Sequence, residues 1–188
     1  MDMVSTSGIN GMSGAYPVPL AGASERRLRP GVHLVLGPRP LWDALLEESR
    51  EASGQLILLS PDPPTREELR SHTLRRFWFR GIRARGSVSV RAPVLCRMVP
   101  RLASPSAVTA VEGLEVLLFW NSLEDVVDFL RILDGQLVRS GSQGLVYVRP
   151  GLIDEKEYGT LKSHFPLSID LRESGAARGL DTVRPATA

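Results

Sequence analysis

Between Pro30 and Val148 the chain repeatedly sets a short, almost uncharged apolar run between longer stretches with helical spacing, and this alternation constrains the fold more than any other feature. VHLVL (Val32 to Leu36) stands behind Pro30-Gly31 and ahead of Gly37-Pro38; QLILLS (Gln55 to Ser60), AVTAV (Ala107 to Val111) and GLVYV (Gly144 to Val148) are of the same kind. Runs this short and this apolar read as strands buried on both faces. RFWFRG (from Arg76) and PLSIDL (from Pro166) are further candidates. The intervening stretches carry helix signals. PLWDALLEESREA begins with Pro40, suited to a first helical turn, and spaces Leu41, Ala44, Leu45 and Ala52 near the helical period. Thr65 is placed to cap REELRSHTL, with Glu68 at the capping-box position. SVRAPVLCRMVPRLAS reads as a helix that Pro100 should end or kink. Ser122 to Asp125 opens a helix with Leu123, Val126, Val127, Leu130, Leu133 and Leu137 on one face, in which Gly135 costs about 1 kcal/mol relative to Ala. DEKEYGTLKSHF is a short amphipathic helix. Such alternation implies a mostly parallel sheet covered on both sides, a three-layer α/β/α sandwich.

At 188 residues, 43% of them hydrophobic, the chain suits one domain, 28–171. The Gly, Ser, Ala and Pro-rich segments 1–27 and 172–188 lack apolar periodicity and read as disordered tails. The uncharged stretch from Met3 to Ser24 is broken by glycines and prolines and has no basic flank, so neither a signal peptide nor a membrane anchor is expected. The lone Cys96 excludes an internal disulfide and a Cys-based zinc site, and makes a reducing cytoplasm the expected setting. Charge is uneven: ten arginines against Glu67 and Glu68 between Arg66 and Arg101 leave +8, while ten acids against five bases between Val108 and Asp170 leave −5. An electrostatically polar molecule follows unless folding interleaves the two sets.

The segment from Glu112 to Phe165 resembles the second half of a largely archaeal family known as domain of unknown function 835. That family shows an apolar strand, Asp-Gly-Leu-Glu-Tyr-Leu, a long helix, a second apolar strand, then Pro and an acid-rich helix ending in Phe. The matching elements here are Val108 to Val111, Glu112-Gly113-Leu114-Glu115-Val116-Leu117, the helix from Ser122, Leu145 to Val148, Pro150 and Asp154-Glu155-Lys156-Glu157. The likeness extends from about Pro30 to Leu171 and is weakest between Arg75 and Ser106; Glu112 replaces the usual Asp and Val116 the usual Tyr. The resemblance implies a remote relative of RecA/KaiC-type ATPases, a RecA-like layout without a P-loop, and no assigned biochemical role.

A P-loop needs G-x-x-x-x-G-K-[ST] after the first strand. GPRPLWDAL stands there instead, with prolines removing N–H donors, no second Gly and no Lys; Lys156 and Lys162 lie far along the chain. Conventional ATP hydrolysis, and catalysis generally, is therefore not expected, and no cofactor or metal is implied. The residues left as candidates for nucleotide contact are Gly37, Arg39, Glu112 and Glu115. The two glutamates at a strand end offer oxygens to a divalent cation, but the reading favoured is that Glu112 accepts backbone hydrogen bonds in the strand-to-helix turn and Glu115 is solvated. Arg75, Arg76 and Arg80 interleave with Phe77, Trp78 and Phe79, as in a nucleic-acid stacking surface, or as a core strand with solvated arginines, which is the reading favoured. Alternation turns Phe77 and Phe79 one way and Trp78 the other. His33 reads as a satisfied core residue, Cys96 as a buried inert thiol, and Phe119-Trp120 as either an interaction surface or packing against the Ser122 helix. The expected function is a non-catalytic regulatory or protein-interaction domain, with a protein partner or self-association. Nucleic-acid or polyanion binding through 66–101, and non-hydrolysing nucleotide sensing near Gly37 and Glu112, are the alternatives.

Overall fold

A computed structural model describes residues 28–82, 84–105 and 107–172. The tails expected at 1–27 and beyond Arg172 lie outside the described residues. The apolar runs form β1 (Gly31–Leu36), β2 (Leu56–Ser60), β5 (Val108–Val111) and β6 (Gln143–Val148), every residue of β2, β5 and β6 being buried. They are joined by β3 (Leu74–Arg80), the two-residue β4 (Val88–Ser89) and β7 (Ser168–Asp170) into a seven-stranded sheet ordered β4-β3-β2-β5-β6-β1-β7. Every pairing is parallel.

The helices are α1 (Arg39–Ser53), α2 (Ala92–Leu102), α3 (Leu114–Trp120), α4 (Leu123–Ser140) and α5 (Glu155–His164). The connection through α1 runs along the sheet in the opposite direction to those through α2, α4 and α5, so right-handed crossovers place α1 on one face and the others on the second. The core divides accordingly. On one side Trp42, Leu45 and Leu46 of α1 pack on Val35, Leu58, Ala110 and Tyr147; on the other Leu95, Leu117, Leu130 and Leu161 pack on Leu34, Leu59 and Val111. This is a three-layer α/β/α sandwich with the first strand inside the sheet, one strand away from the acid-ended β5.

Local signals explain most element ends. Ser122 with Asp125, and Asp154 with Glu157, form reciprocal capping boxes that open α4 and α5, and Gly54 and Gly141 close α1 and α4 in the left-handed region. Three expectations change. Thr65 and Glu68 do make their capping box, but it opens only a 3₁₀ turn, Glu68–Arg70, because the Ser71 hydroxyl accepts from the backbone N–H of Thr73 and Leu74 and turns the chain into β3. The helix expected from Ser89 starts at Ala92, after β4, where Asn121 Oδ1 accepts the Ala92 N–H and Asn121 Nδ2 donates to the Val90 carbonyl. It continues past Pro100 by two residues and ends at Leu102, the missing Pro100 N–H costing one helical bond just before the helix stops. The run after Gly113, which carried no helix expectation, forms α3.

Packing also revises the charge pattern. The acid-rich α4 lies beside α2, which carries Arg97 and Arg101, so the two charge sets run side by side at that face instead of lying at opposite ends of the molecule. No helix of the described residues is long and apolar enough to cross a membrane.

Candidate functional site

In an open parallel sheet the strand ends at a switch of connection direction form a natural crevice. Here β2 leads on to β3 and β5 leads on to β6, away from one another, so the switch lies between Ser60 and Glu112. Gly113 follows in the left-handed region at φ 72°, and a Cβ there would meet the Pro61 ring at 2.7 Å. That glycine lets the chain after β5 turn sharply under the chain after β2.

Glu112 is 2% exposed, and its oxygens are engaged by side chains rather than by the backbone donors expected from sequence. Oε1 accepts from Trp42 Nε1 at 2.7 Å and pairs with Arg39 Nη2 at 3.2 Å, while Oε2 accepts from Ser60 Oγ at 3.0 Å. The physical reason is α1: it lays Trp42 over the strand ends and brings its indole N–H to the carboxylate. Trp42 is stacked on Tyr147 with centroids 4.8 Å apart, and the Tyr147 hydroxyl donates to the Gly37 carbonyl at 3.0 Å. Burial pushes the Tyr147 phenol up from its ordinary value, with Arg39 and Arg149 acting the other way. From Ser60 the network continues outward. Its Oγ accepts from Arg76 Nη1 at 3.1 Å, and Arg76 Nη2 donates to Glu68 at 2.6 Å.

The other candidates occupy this same neighbourhood but offer no phosphate cradle. Gly37 is small because a Cβ would lie 2.7 Å from the Leu171 side chain, and it presents its carbonyl to Tyr147. Arg39 is held by Asp43 at 2.7 Å as well as by Glu112. In the first turn of α1 Pro40 has no N–H, and the Leu41 and Trp42 N–H groups both bond the Pro38 carbonyl. Glu115 is partly buried, not solvated as expected, and its Oε2 is buried with no partner among the described residues. Beside the network, between α1 and the 3₁₀ turn, lies a cavity of about 400 Å³ with Leu46, Leu56 and Leu58 among its lining and Arg39, Arg50 and Arg76 at its charged wall.

The three arginines of the stacking hypothesis separate. Arg76 is committed to Glu68 and Ser60 on the α1 side of β3. Arg80 lies over the Trp78 ring at 5.2 Å, whereas Arg75 lies over Phe77 at 4.8 Å on the other face of the strand. Phe79 is fully buried and Trp78 Nε1 donates to the Pro61 carbonyl. The histidines do not converge: His33 is buried on β1 with Nε2 donating to the Arg29 carbonyl at 2.8 Å, His72 precedes β3, and His164 meets Arg131 at the end of α5. No group of three His, Cys, Asp or Glu suited to a metal exists among the described residues. Burial raises the Cys96 thiol above its ordinary value, which suppresses the thiolate.

Sequence reasoning missed Trp42, Ser60 and Tyr147. Trp42 lies one position from the apolar stripe read for α1, and nothing local to Ser60 or Tyr147 marks them; only the register of β2, β5 and β6 brings them to one edge.

Fold and site together define a three-layer α/β/α domain with an all-parallel sheet whose strand-edge acid is bound into an internal hydrogen-bond network. No protein-family model matches the chain, and no curated protein matches it. Among solved structures, a P4 protein from bacteriophage phi13 is similar at 10% identity with a TM-score of 0.45, over 79% of this chain. The chain spans about half, 52%, of that protein's length.

Proposed function

We propose that this chain is a non-catalytic regulatory or protein-interaction domain, working in a reducing cytoplasm within an archaeal signalling assembly, and that it belongs with the domain of unknown function 835 proteins it resembles from Glu112 to Phe165. One observation supports the reading above others: Glu112 spends both oxygens on Trp42, Arg39 and Ser60. An acid that serves a nucleotide-bound cation must turn its oxygens outward to the metal, and here an indole N–H and a hydroxyl take those positions. The phosphate side is equally closed, since α1 opens on prolines and its first free N–H groups bond Pro38.

The test is a thermal-shift screen of the full chain with ATP, GTP and cyclic nucleotides in the presence of Mg²⁺. A ligand present at a hundredfold excess over its Kd stabilises a fold by about 2.7 kcal/mol, so binding at this edge would be plain. No shift is expected. A shift with any mononucleotide, abolished by Glu112→Ala, would replace this reading with nucleotide sensing.

A further inference from the structure

The ends of α2, α3 and α4 build a surface that the network at Glu112 does not use. Phe119, the penultimate residue of α3, is 80% exposed, as is Ile82 in the chain after β3. Isolated exposed apolar residues are ordinary, but these two border a common support. Trp120 packs on Gly81, carries the Arg91 guanidinium over its ring at 5.6 Å, and meets Phe119 edge to face at 5.6 Å and 81°. The Trp120 carbonyl accepts from Arg91, and Asn121 ties Val90, Ala92 and Leu117 together. The knob at Phe119 is therefore held in place before any contact is made. Beside it runs a groove of about 530 Å³ walled by Arg91, Pro93, Phe119, Asn121, Ser122 and Asp125.

The charges around the knob are sorted by helix. On the α2 side Arg91 and Arg97 are exposed and bond only to backbone carbonyls, forming no ion pair among the described residues. On the α4 side Glu124, Asp125 and Asp128 are exposed, and of these only Asp128 pairs, with Arg131 at 3.7 Å. A knob next to a groove, with a cationic strip on one flank and an anionic strip on the other, is self-complementary under a two-fold rotation: knob enters groove, and each cationic strip meets the partner's anionic strip.

Resting on the interaction reading above, we propose that Phe119 and the surrounding groove are a self-association surface whose occupant is a second copy of this chain, with Arg91 of one copy facing Glu124 of the other. A nucleic-acid strand fits less well. Trp120 is already packed on Gly81 and covered by Arg91, which leaves Phe119 as the free ring of this groove, and Asp125, a carboxylate, lines the same groove.

Sedimentation velocity of the full chain, from low to high micromolar concentration at low salt, tests this. The expected result is a concentration-dependent monomer and dimer. Phe119→Glu, at an exposed position that leaves the melting temperature unchanged, weakens association at least about tenfold, and Glu124→Arg, away from the support of the knob, does the same. A chain that stays monomeric throughout, or a dimer that Phe119→Glu leaves intact, overturns the proposal. Binding of a fluorescent single-stranded oligonucleotide that is lost in Phe119→Glu, from a monomeric wild type, would assign the surface to nucleic acid instead. None of these results bears on the nucleotide screen, so failure here and failure of the non-catalytic reading are separately visible.

Discussion

Trp42 and Glu112 stand 70 residues apart in sequence and are joined by a buried 2.7 Å hydrogen bond from the indole N–H to the carboxylate. The bond ties the first helix to the end of β5 at the place where the sheet's connections diverge. Replacing Glu112 with Ala strands the Trp42 N–H and the Ser60 hydroxyl in the interior, and each buried group left without a partner costs about 1–3 kcal/mol. Glu112→Ala is expected to destabilise the fold by several kcal/mol in urea denaturation, and Glu112→Gln, which keeps an acceptor for Trp42, by clearly less. Equal stability of wild type and Glu112→Ala would show that the network contributes nothing.

The same logic separates the arginines of β3. Arg76 and Glu68 have side chains only 13% and 18% exposed, and Arg76 also supports Ser60. Arg76→Ala should cost about 1–3 kcal/mol. Arg75 and Arg80, exposed and resting on aromatic rings, should each cost less than about 1 kcal/mol on replacement by Ala. Thermal melts of the three variants check the order, which would be uniform if the strand simply presented three solvated cations.

How far these arrangements could be read in the sequence depended on how far apart their causes lie. Apolar runs and capping boxes are local, so β1, β2, β5, β6, α4 and α5 were legible, as was the alternation that buries Phe79 and turns Trp78 to the other face. The start of α2 was not, because its cap is Asn121, 29 residues further along. The stop after Thr65 was hidden for a different reason: the capping box is present, and Ser71 overrides it from the far end. At the site, Glu112 and Arg39, named separately from sequence, meet at 3.2 Å, but the partner that defines Glu112 comes from the packing of α1 across the sheet. No spacing in a single sequence states that distance.

Gly81 is a second test of packing at the Phe119 surface. A Cβ at this position would overlap the Trp120 indole, and the ring cannot withdraw without releasing Arg91 and disturbing its neighbour Asn121. Gly81→Ala is expected to cost about 1–3 kcal/mol through overpacking and to alter tryptophan emission. An unchanged melting temperature would mean that the ring is loosely seated and the knob not held.

His33 sets a pH dependence whose sign follows from its burial. Loss of solvent lowers its pKa below the ordinary 6.5, and the Arg29 carbonyl and the Asp134 charge, which favour the protonated form, offset this only in part. The unfolded chain therefore takes up a proton at a pH where the folded chain does not. Stability is full above about pH 6.5 and falls as the pH drops toward the folded value, where the loss levels off. Asp170, beside Arg172, and Glu47, beside Arg50, also have lowered values, but their losses begin only below the ordinary 3.8 and 4.5. The two windows are distinct. His33→Gln, whose amide can still donate to the Arg29 carbonyl, should flatten the fall of the melting temperature that begins below about pH 6.5 while leaving the carboxylate-driven acid limb in place. A fall below about pH 6.5 of the same size in both proteins, above the carboxylate range, would assign the titration to a group other than His33.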